Sequence, residues 1–103
     1  IRNTQKFTEM LRLNCFIKVA EENRTTVVNA AKALVEASRK EDGCLAYDLF
    51  ESATIPEHLM ICETWRDQKA LDSHSASAHF AEYVGIMRSH AEMHLDKMEL
   101  PKP

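Results

Sequence analysis

Strand character is strongest in the stretch HLMICETWR, residues 58–66. Successive side chains of a β-strand point to opposite faces of the sheet, so this stretch presents two sets of side chains. One set is Met60, Cys62 and Thr64. The other set is Leu59, Ile61, Glu63 and Trp65. Both sets are mostly apolar, which predicts a central strand in a sheet that is covered on both faces.

A second strand precedes this one, and the two are predicted to form a hairpin. Residues 44–52 are rich in strand formers, and residues 53–57 form a Pro-containing turn. Residues 11–19 alternate regularly between apolar and other side chains, which predicts a further strand. Between them, residues 24–41 have apolar side chains at helical spacing with Gly43 just beyond, which predicts an amphipathic helix.

The chain after the third strand is predicted to be helical and then extended. Asp67 can cap a short helix over residues 67–75, and Ser77 can cap a second one over residues 77–92. A weaker extended segment follows at residues 94–100. This order predicts an α+β fold of the ferredoxin-like βαββαβ type. Its antiparallel four-stranded sheet would carry the helices on one face, with strands one and three in the centre.

The chain of 103 residues is predicted to be one domain, residues 10–103, after an N-terminal extension of residues 1–9 to which we assign no function. A domain of this size buries only ~60 to 65% of its unfolded surface, so a partner subunit would add core. The predicted helices cover one face of the sheet only. A second copy of the sheet would cover the other face, and we expect a homodimer.

Composition argues against several classes of protein. The net charge of −3 and the scattered Lys and Arg residues argue against nucleic-acid binding. No apolar run approaches ~18 residues and no secretory pattern is present, so we expect no membrane association and a cytoplasmic location. The two glycines provide no phosphate-binding loop, so we expect no nucleotide cofactor. We expect Cys15, Cys44 and Cys62 to be reduced core thiols.

The second face of the sheet is the predicted position of a small-molecule pocket. Strands one and three are expected to be antiparallel neighbours that bring Arg12 and Asn14 close to Glu63 and Trp65. The turn would pair Tyr47 with Glu63, although a slip of one residue would reverse the faces of the second strand. The predicted face is largely apolar with a few polar groups, which suits a ligand pocket. It consists of Asn14, Phe16, Tyr47, Leu49, Ile61, Glu63 and Trp65.

Two kinds of side chain in this region can carry protons near neutral pH. Burial would raise the pKa of Glu63 and make it a proton acceptor, and the alternative is a structural ion pair with Arg12. His74, His79 and His90 follow on the helical segment. A histidine at the mouth of an apolar pocket is the usual proton carrier at neutral pH. The spacing of these histidines does not fit a metal site, so we expect none.

Three stretches together resemble the antibiotic biosynthesis monooxygenase family. They are EDGCLAYDL at residues 41–49, ETWRDQKALDSH at 63–74 and SAHF at 77–80, within a likeness that covers roughly residues 11–92. The resemblance implies a dimeric α+β barrel, in which two ferredoxin-like sheets close face to face and each subunit keeps its own cavity. It also implies chemistry without metal, flavin or haem, as in quinol-oxygenating members, because the deprotonated substrate reacts with oxygen itself.

The resemblance further implies roles for individual residues. His74 and Glu63 match family positions and are the candidate catalytic base or orienting group. Asn14 and Tyr47 would hydrogen-bond a phenolic or carbonyl oxygen, and Trp65 would line the cavity or fill the dimer interface. The remaining expected substrate contacts are Phe16, Ile61, His79, Phe80 and Met87. The leading hypothesis is a cofactor-independent monooxygenase that uses molecular oxygen and a quinol or polycyclic phenolic substrate.

Related folds leave other functions to consider. Haem-degrading relatives carry a Trp where this chain has His74 and the haem-ligating His where it has Val84, which argues against haem. Isomerisation of a phosphorylated signalling sugar needs a base and a cationic phosphate site, for which Arg12 is the candidate. A non-catalytic small-molecule binder would keep the barrel without turnover. Convergence of Glu63, His74 and Tyr47 on one cavity would favour an enzyme.

Overall fold

The computed structural model describes residues 9–101. The elements are β1 (Glu9–Lys18), a 3₁₀ turn (Glu21–Asn23), α1 (Arg24–Arg39), β2 (Cys44–Glu51), β3 (His58–Trp65), α2 (Gln68–Ser75), α3 (Ala78–His90) and β4 (Glu92–Pro101). The predicted βαββαβ order is confirmed, with the second helical segment split in two. β4 begins earlier than predicted, because α3 ends at His90 and Ala91 is already extended. The predicted N-terminal extension lies outside the described residues, apart from Glu9, which opens β1.

The four strands form one antiparallel sheet in the order β2-β3-β1-β4. β1 and β3 therefore occupy the centre, as predicted. α1 packs against α3 and β2, while α2 packs against β1 and β3. α1 turns one apolar stripe inward at helical spacing. Its buried residues are Val27, Ala30, Ala31, Leu34, Val35 and Ser38.

Both predicted helix caps are confirmed. The Asp67 carboxylate accepts a hydrogen bond from the Ala70 N–H at 2.9 Å. The Ser77 hydroxyl accepts one from the Phe80 N–H at 3.2 Å and donates one to the His74 carbonyl at 2.6 Å. Ser77 therefore joins the end of α2 to the start of α3.

Gly43 lets the chain turn from α1 into β2. Its φ of 84° lies in the left-handed region, and a Cβ at this position would come within 2.5 Å of the Ala70 Cβ. Just before it, Glu41 donates its N–H to the Ser38 carbonyl at 3.0 Å and accepts from the Cys44 N–H at 3.2 Å. The turn thus holds Glu41 in place close to α2.

The pairing of β1 with β3 decides which side chains face the helices. Leu11 pairs with Trp65, and Leu13 pairs with Glu63. Directly paired residues of an antiparallel ladder share a face, so Glu63 and Trp65 lie on the helix-covered face. The sequence analysis predicted that they lie beside Asn14 on the opposite face. That prediction is wrong, because the observed register of β1 against β3 differs from the predicted one by one residue.

The correct pairing buries the more apolar faces of both central strands together. From Leu11 to Ile17, β1 has only apolar side chains on its helix-covered face, whereas its other face carries Arg12, Asn14 and Lys18. The face of β3 with Ile61 and Trp65 is the bulkier one, so pairing it with the apolar face of β1 removes more apolar area from water. A slip of one residue would exchange all of these side chains between the faces.

The pairing of β2 with β3 is the one predicted. Tyr47 pairs with Glu63, and Leu49 pairs with Ile61. Because Glu63 faces the helices, Tyr47 does so as well, and it is buried. The predicted pairs are right, but they lie on the covered face of the sheet and not on the open one.

The opposite face of the sheet has no cover from the residues that the structure describes. Phe16 is 43% exposed, Phe50 is 50% exposed and Met98 is 42% exposed. The expectation of an uncovered second face with apolar character is confirmed for these side chains. We call Phe16, Phe50 and Met98, with the residues between them, the open face. Within residues 9–101, no helix has the length and hydrophobicity needed to cross a bilayer.

The three cysteines are free thiols, as predicted. Cys15 lies in the core, and burial raises the pKa of its thiol to about 11, so it stays protonated at neutral pH. Cys44 and Cys62 are half-buried. The prediction of core positions is therefore right for Cys15. Cys44 is partly buried and packs against the core, whereas Cys62 lies on the open face, so the prediction is wrong for Cys62.

Candidate active site

A cavity of about 140 Å³ lies between the helix-covered face of the sheet and the helices. Its apolar lining includes three predicted substrate contacts, which are Ile61, Phe80 and Met87. Its polar lining includes Tyr47, Glu63, His74 and Arg88. The cavity is thus an apolar space into which a few groups capable of proton transfer point.

Glu63 is the buried carboxyl group of this cavity, with 5% of its surface exposed. The Trp65 indole N–H donates to its Oε1 at 2.8 Å, and Tyr47 is its direct partner in the pairing of β2 with β3. Loss of water raises the pKa of Glu63 to about 7, and the interactions with Trp65 and Tyr47 limit the rise. Glu63 can therefore exchange a proton near neutral pH.

His74, on α2, is 1% exposed and is held within an aromatic cluster. Its ring centroid lies 4.5 Å from that of Trp65, 5.1 Å from that of Phe80 and 5.4 Å from that of Tyr47. These contacts leave the imidazole little freedom to rotate. The ring is therefore oriented before any ligand arrives.

The two ring nitrogens of His74 have different surroundings. Nδ1 lies 2.6 Å from Oε2 of Glu41. Nε2 is buried without a hydrogen-bond partner among residues 9–101, and it lies 4.0 Å from Oε1 of Glu63. Burial lowers the pKa of His74, and the hydrogen bond to Glu41 opposes this effect only in part.

Glu41 connects two histidines and was missed by sequence reasoning. Its Oε2 contacts His74 and also lies 2.9 Å from Nε2 of His79. The contact with His74 spans 33 residues of sequence, so no local spacing could reveal it. The available signal was that Glu41 opens the first of the family-like stretches.

Glu41, His74 and His79 place three potential metal-ligand atoms within 4.8 Å of one another. Two ligands of one tetrahedral zinc ion lie about 3.4 Å apart. Two of the three pairs in this cluster are closer, at 2.6 and 2.9 Å, which are hydrogen-bond distances. A metal ion would have to break both bonds, so this geometry favours a hydrogen-bonded cluster. The expected absence of a metal stays a prediction.

The fold brings most of the predicted site residues together. Those that line the cavity are Tyr47, Ile61, Glu63, His74, Phe80 and Met87. Trp65 is fully buried behind this lining and reaches the site through its contacts with Glu63 and His74. His79 is linked to the site through Glu41.

Asn14 and Phe16 are not part of this arrangement. Asn14 pairs with Cys62, and Phe16 pairs with Met60, so both point to the open face. The sheet itself separates them from His74. Their predicted role as substrate contacts in the same cavity depended on the incorrect pairing of β1 with β3.

Arg12 also lies on the open face, where its Nε donates to the Thr64 hydroxyl at 2.9 Å. The predicted alternative of an ion pair between Arg12 and Glu63 is therefore wrong. The arginine at the cavity wall is Arg88 of α3, which no sequence pattern had singled out.

A ferredoxin-like sheet with a partly polar cavity beneath its helices defines a small α+β protein whose cavity has the composition typical of small-molecule pockets. The family profile described as antibiotic biosynthesis monooxygenase matches residues 10–85, and the chain belongs to that family. The resemblance inferred from the three sequence stretches is confirmed.

Individual relatives agree with this assignment. The Bacillus subtilis protein named "Putative monooxygenase YcnE" is 37% identical over 75 residues, which are 73% of this chain and 79% of that protein. A Bacteroides thetaiotaomicron crystal structure, described as a possible oxidoreductase of unknown function, is 50% identical with a TM-score of 0.89, covering 90% of this chain and 99% of that one. The structure of Rv0793 from Mycobacterium tuberculosis is 25% identical with a TM-score of 0.81, covering 86% and 92%.

Proposed function

We propose that the protein is a cofactor-independent monooxygenase that oxidises a quinol or related phenolic small molecule in the cavity beneath the helices. The observation that carries the proposal is the approach of two buried proton-exchanging groups, with Nε2 of His74 4.0 Å from Oε1 of Glu63. Family membership supports the class of reaction. The choice of a quinol comes from the resemblance to quinol-oxygenating members of the family, and an apolar cavity with buried proton-exchanging groups is compatible with it.

An apolar cavity suits the two stages of such a reaction. A buried base removes the proton of a phenolic hydroxyl, and the electron-rich anion that remains can reduce dioxygen. Quinol and dioxygen then give hydroxyquinone and water. One oxygen atom forms a new C–O bond, the other leaves as water, and the substrate supplies all of the electrons.

The size of the cavity limits the first substrate to test. A cavity of about 150 Å³ in a well-studied lysozyme variant binds benzene. The cavity of about 140 Å³ is similar, so a single-ring hydroquinone fits it. The further rings of a polycyclic phenol would have to extend beyond this volume.

We also propose that two copies associate through the open face. Phe16, Phe50 and Met98 form an apolar area that a second sheet could cover. The Asn14 side-chain oxygen on the same face is buried without a partner among residues 9–101, and a partner subunit could provide a donor. The site in each subunit would be complete, since its groups all lie on the covered face.

The two alternatives are less well supported. The sugar-phosphate isomerase relied on Arg12, which lies across the sheet from the cavity and contacts Thr64. A non-catalytic binder needs no proton acceptors, whereas Tyr47, Glu63 and His74 all line the cavity. This convergence favours an enzyme.

Oxygen consumption with a panel of single-ring and fused-ring hydroquinones tests the proposal. We expect uptake that falls strongly in His74→Ala and Glu63→Gln. The matched controls are His90→Ala and Glu82→Gln, exposed residues of α3 that should retain activity. Uptake no faster than autoxidation, or uptake unchanged in the two site variants, would contradict the proposal. Conversion of a phosphorylated ketose without oxygen uptake would instead support the isomerase.

A further inference from the structure

The Glu41 carboxylate holds the imidazole of His74 by the nitrogen that faces away from Glu63. Its Oε2 lies 2.6 Å from Nδ1 of His74, a short distance typical of a charge-assisted hydrogen bond. A second hydrogen bond, from His79 at 2.9 Å, fixes the same oxygen. Glu41 is itself held by the main-chain bonds of the turn before Gly43.

This contact determines where the proton of a neutral His74 resides. An ionised carboxylate can only accept hydrogen bonds, so Nδ1 of His74 must be the donor to Glu41. A neutral imidazole carries a single ring proton, which leaves Nε2 with a lone pair. That atom is buried and unpartnered within the described chain, and His74 lines the cavity.

The second candidate base is less available. Oε1 of Glu63 already accepts the Trp65 N–H at 2.8 Å. A substrate hydroxyl would have to compete with this donor. The unpartnered Nε2 of His74 has no such competition.

We propose that Glu41 is a positioning residue that fixes the Nδ1–H tautomer of His74 and so makes Nε2 the proton acceptor for the substrate. The proposal rests on the proposed function. The substrate O–H bond breaks, its proton binds Nε2, and the electron pair stays on the phenolate oxygen. Glu41 then balances the charge of the imidazolium, as carboxylates do for histidine in hydrolase triads. The imidazolium returns this proton to the oxygen atom that leaves as water.

Nitrogen-15 NMR tests the tautomer without any substrate. In mildly alkaline buffer, Nδ1 of His74 should show the shift of a protonated ring nitrogen and Nε2 that of an unprotonated one, with His74→Asn identifying the signals. Glu41→Gln should shift the tautomer ratio toward a mixture. A proton on Nε2 in the wild-type protein would overturn the proposal. The NMR measurement reports the tautomer of His74 whether or not the protein oxidises a quinol. A failure of the proposed function would appear only in the oxygen-uptake assay, so the two failures can be told apart.

Steady-state kinetics provide the second test. Glu41→Gln is expected to lower kcat by about 100-fold or more and to change KM by less than about threefold, since the lost interaction acts on the transferred proton and not on binding. Glu82→Gln, an exposed carboxyl group of α3, is the control. An unchanged kcat in Glu41→Gln would overturn the proposal. A stoichiometric metal ion, retained by the purified protein and lost in Glu41→Gln, would overturn it as well.

Discussion

The indole N–H of Trp65 donates to Oε1 of Glu63 at 2.8 Å, and the same indole lies with its centroid 4.5 Å from the imidazole of His74. All three side chains are buried. A single tryptophan therefore stabilises the carboxylate form of one proposed proton carrier and restricts the ring of the other. This explains how Trp65 can matter to the site although it does not line the cavity.

Trp65→Phe keeps an aromatic ring but removes the hydrogen-bond donor. Because this hydrogen bond lowers the pKa of Glu63, we expect the pKa in the variant to rise above the native value of about 7. Carbon-13 NMR titration of the glutamate carboxyl groups measures it. Tyr83→Phe, a half-buried position of α3, is the control. A Glu63 pKa that is the same in both variants would mean that the indole bond has no influence.

Glu63 is expected to make the fold less stable as the pH rises. Its pKa is raised from 4.5 to about 7, so between these values the folded state binds a proton that the unfolded state has lost. The free energy of unfolding should fall by roughly 3 kcal/mol as the pH rises through this window. Urea denaturation at a series of pH values should show that Glu63→Gln removes the fall. A wild-type curve without it would indicate an ordinary carboxyl pKa.

His74 is expected to act in the opposite direction. Its pKa is lowered below 6.5, so as the pH falls the unfolded state takes up a proton before the folded state does. The stability provided by neutral His74 is present above pH 6.5 and is lost as the pH falls through the pKa of the folded state. In the same urea denaturation series, His74→Asn should reduce the loss of unfolding free energy as the pH falls below 6.5, whereas His90→Asn, at an exposed position, should not. An equal loss of stability at acid pH in the two variants would contradict a lowered pKa for His74.

A charge on the open face should separate the proposed dimer. Phe16→Glu places a carboxylate in the area that would be covered, so we expect sedimentation to show a shift from dimer to monomer. Ile55→Glu is the matched control, because Ile55 is 45% exposed but lies in the turn between β2 and β3. A wild-type protein that is monomeric at the same concentration, or a Phe16→Glu variant that stays dimeric, would rule out this interface.

The Ser77 hydroxyl should contribute measurably to stability because it has two partners. It accepts from the Phe80 N–H and donates to the His74 carbonyl, so Ser77→Ala leaves the Phe80 N–H without this partner and removes one of the hydrogen bonds to the His74 carbonyl, which still accepts from the Ser77 N–H at 3.1 Å. We expect a loss of about 1 to 2 kcal/mol in the free energy of unfolding, measured by urea denaturation. Ser89→Ala, at an exposed position of α3, should change it by less than about 0.5 kcal/mol. Equal losses in the two variants would argue against a capping role for Ser77.

Local pattern was sufficient for the elements and their order. Alternation identified the central strands, helical spacing identified α1, and the side-chain chemistry of Asp67 and Ser77 located two helix starts. These features depend on neighbours within a few residues, which a sequence displays directly. The hairpin pair of Tyr47 and Glu63 was also predictable, because a short turn leaves few choices of register.

The sequence by itself determined the fold and the family, and it named Glu63 and His74, which the structure places side by side in the cavity, as the candidate proton carriers. Only the tertiary structure decided that Asn14 and Glu63 lie on opposite faces, since alternation groups the residues of one strand but does not state which group its neighbour pairs with. It also revealed Glu41 beside His74, a contact made when the turn after α1 docks against α2. Contacts between distant segments depend on how whole elements pack, and local residue patterns do not encode that packing.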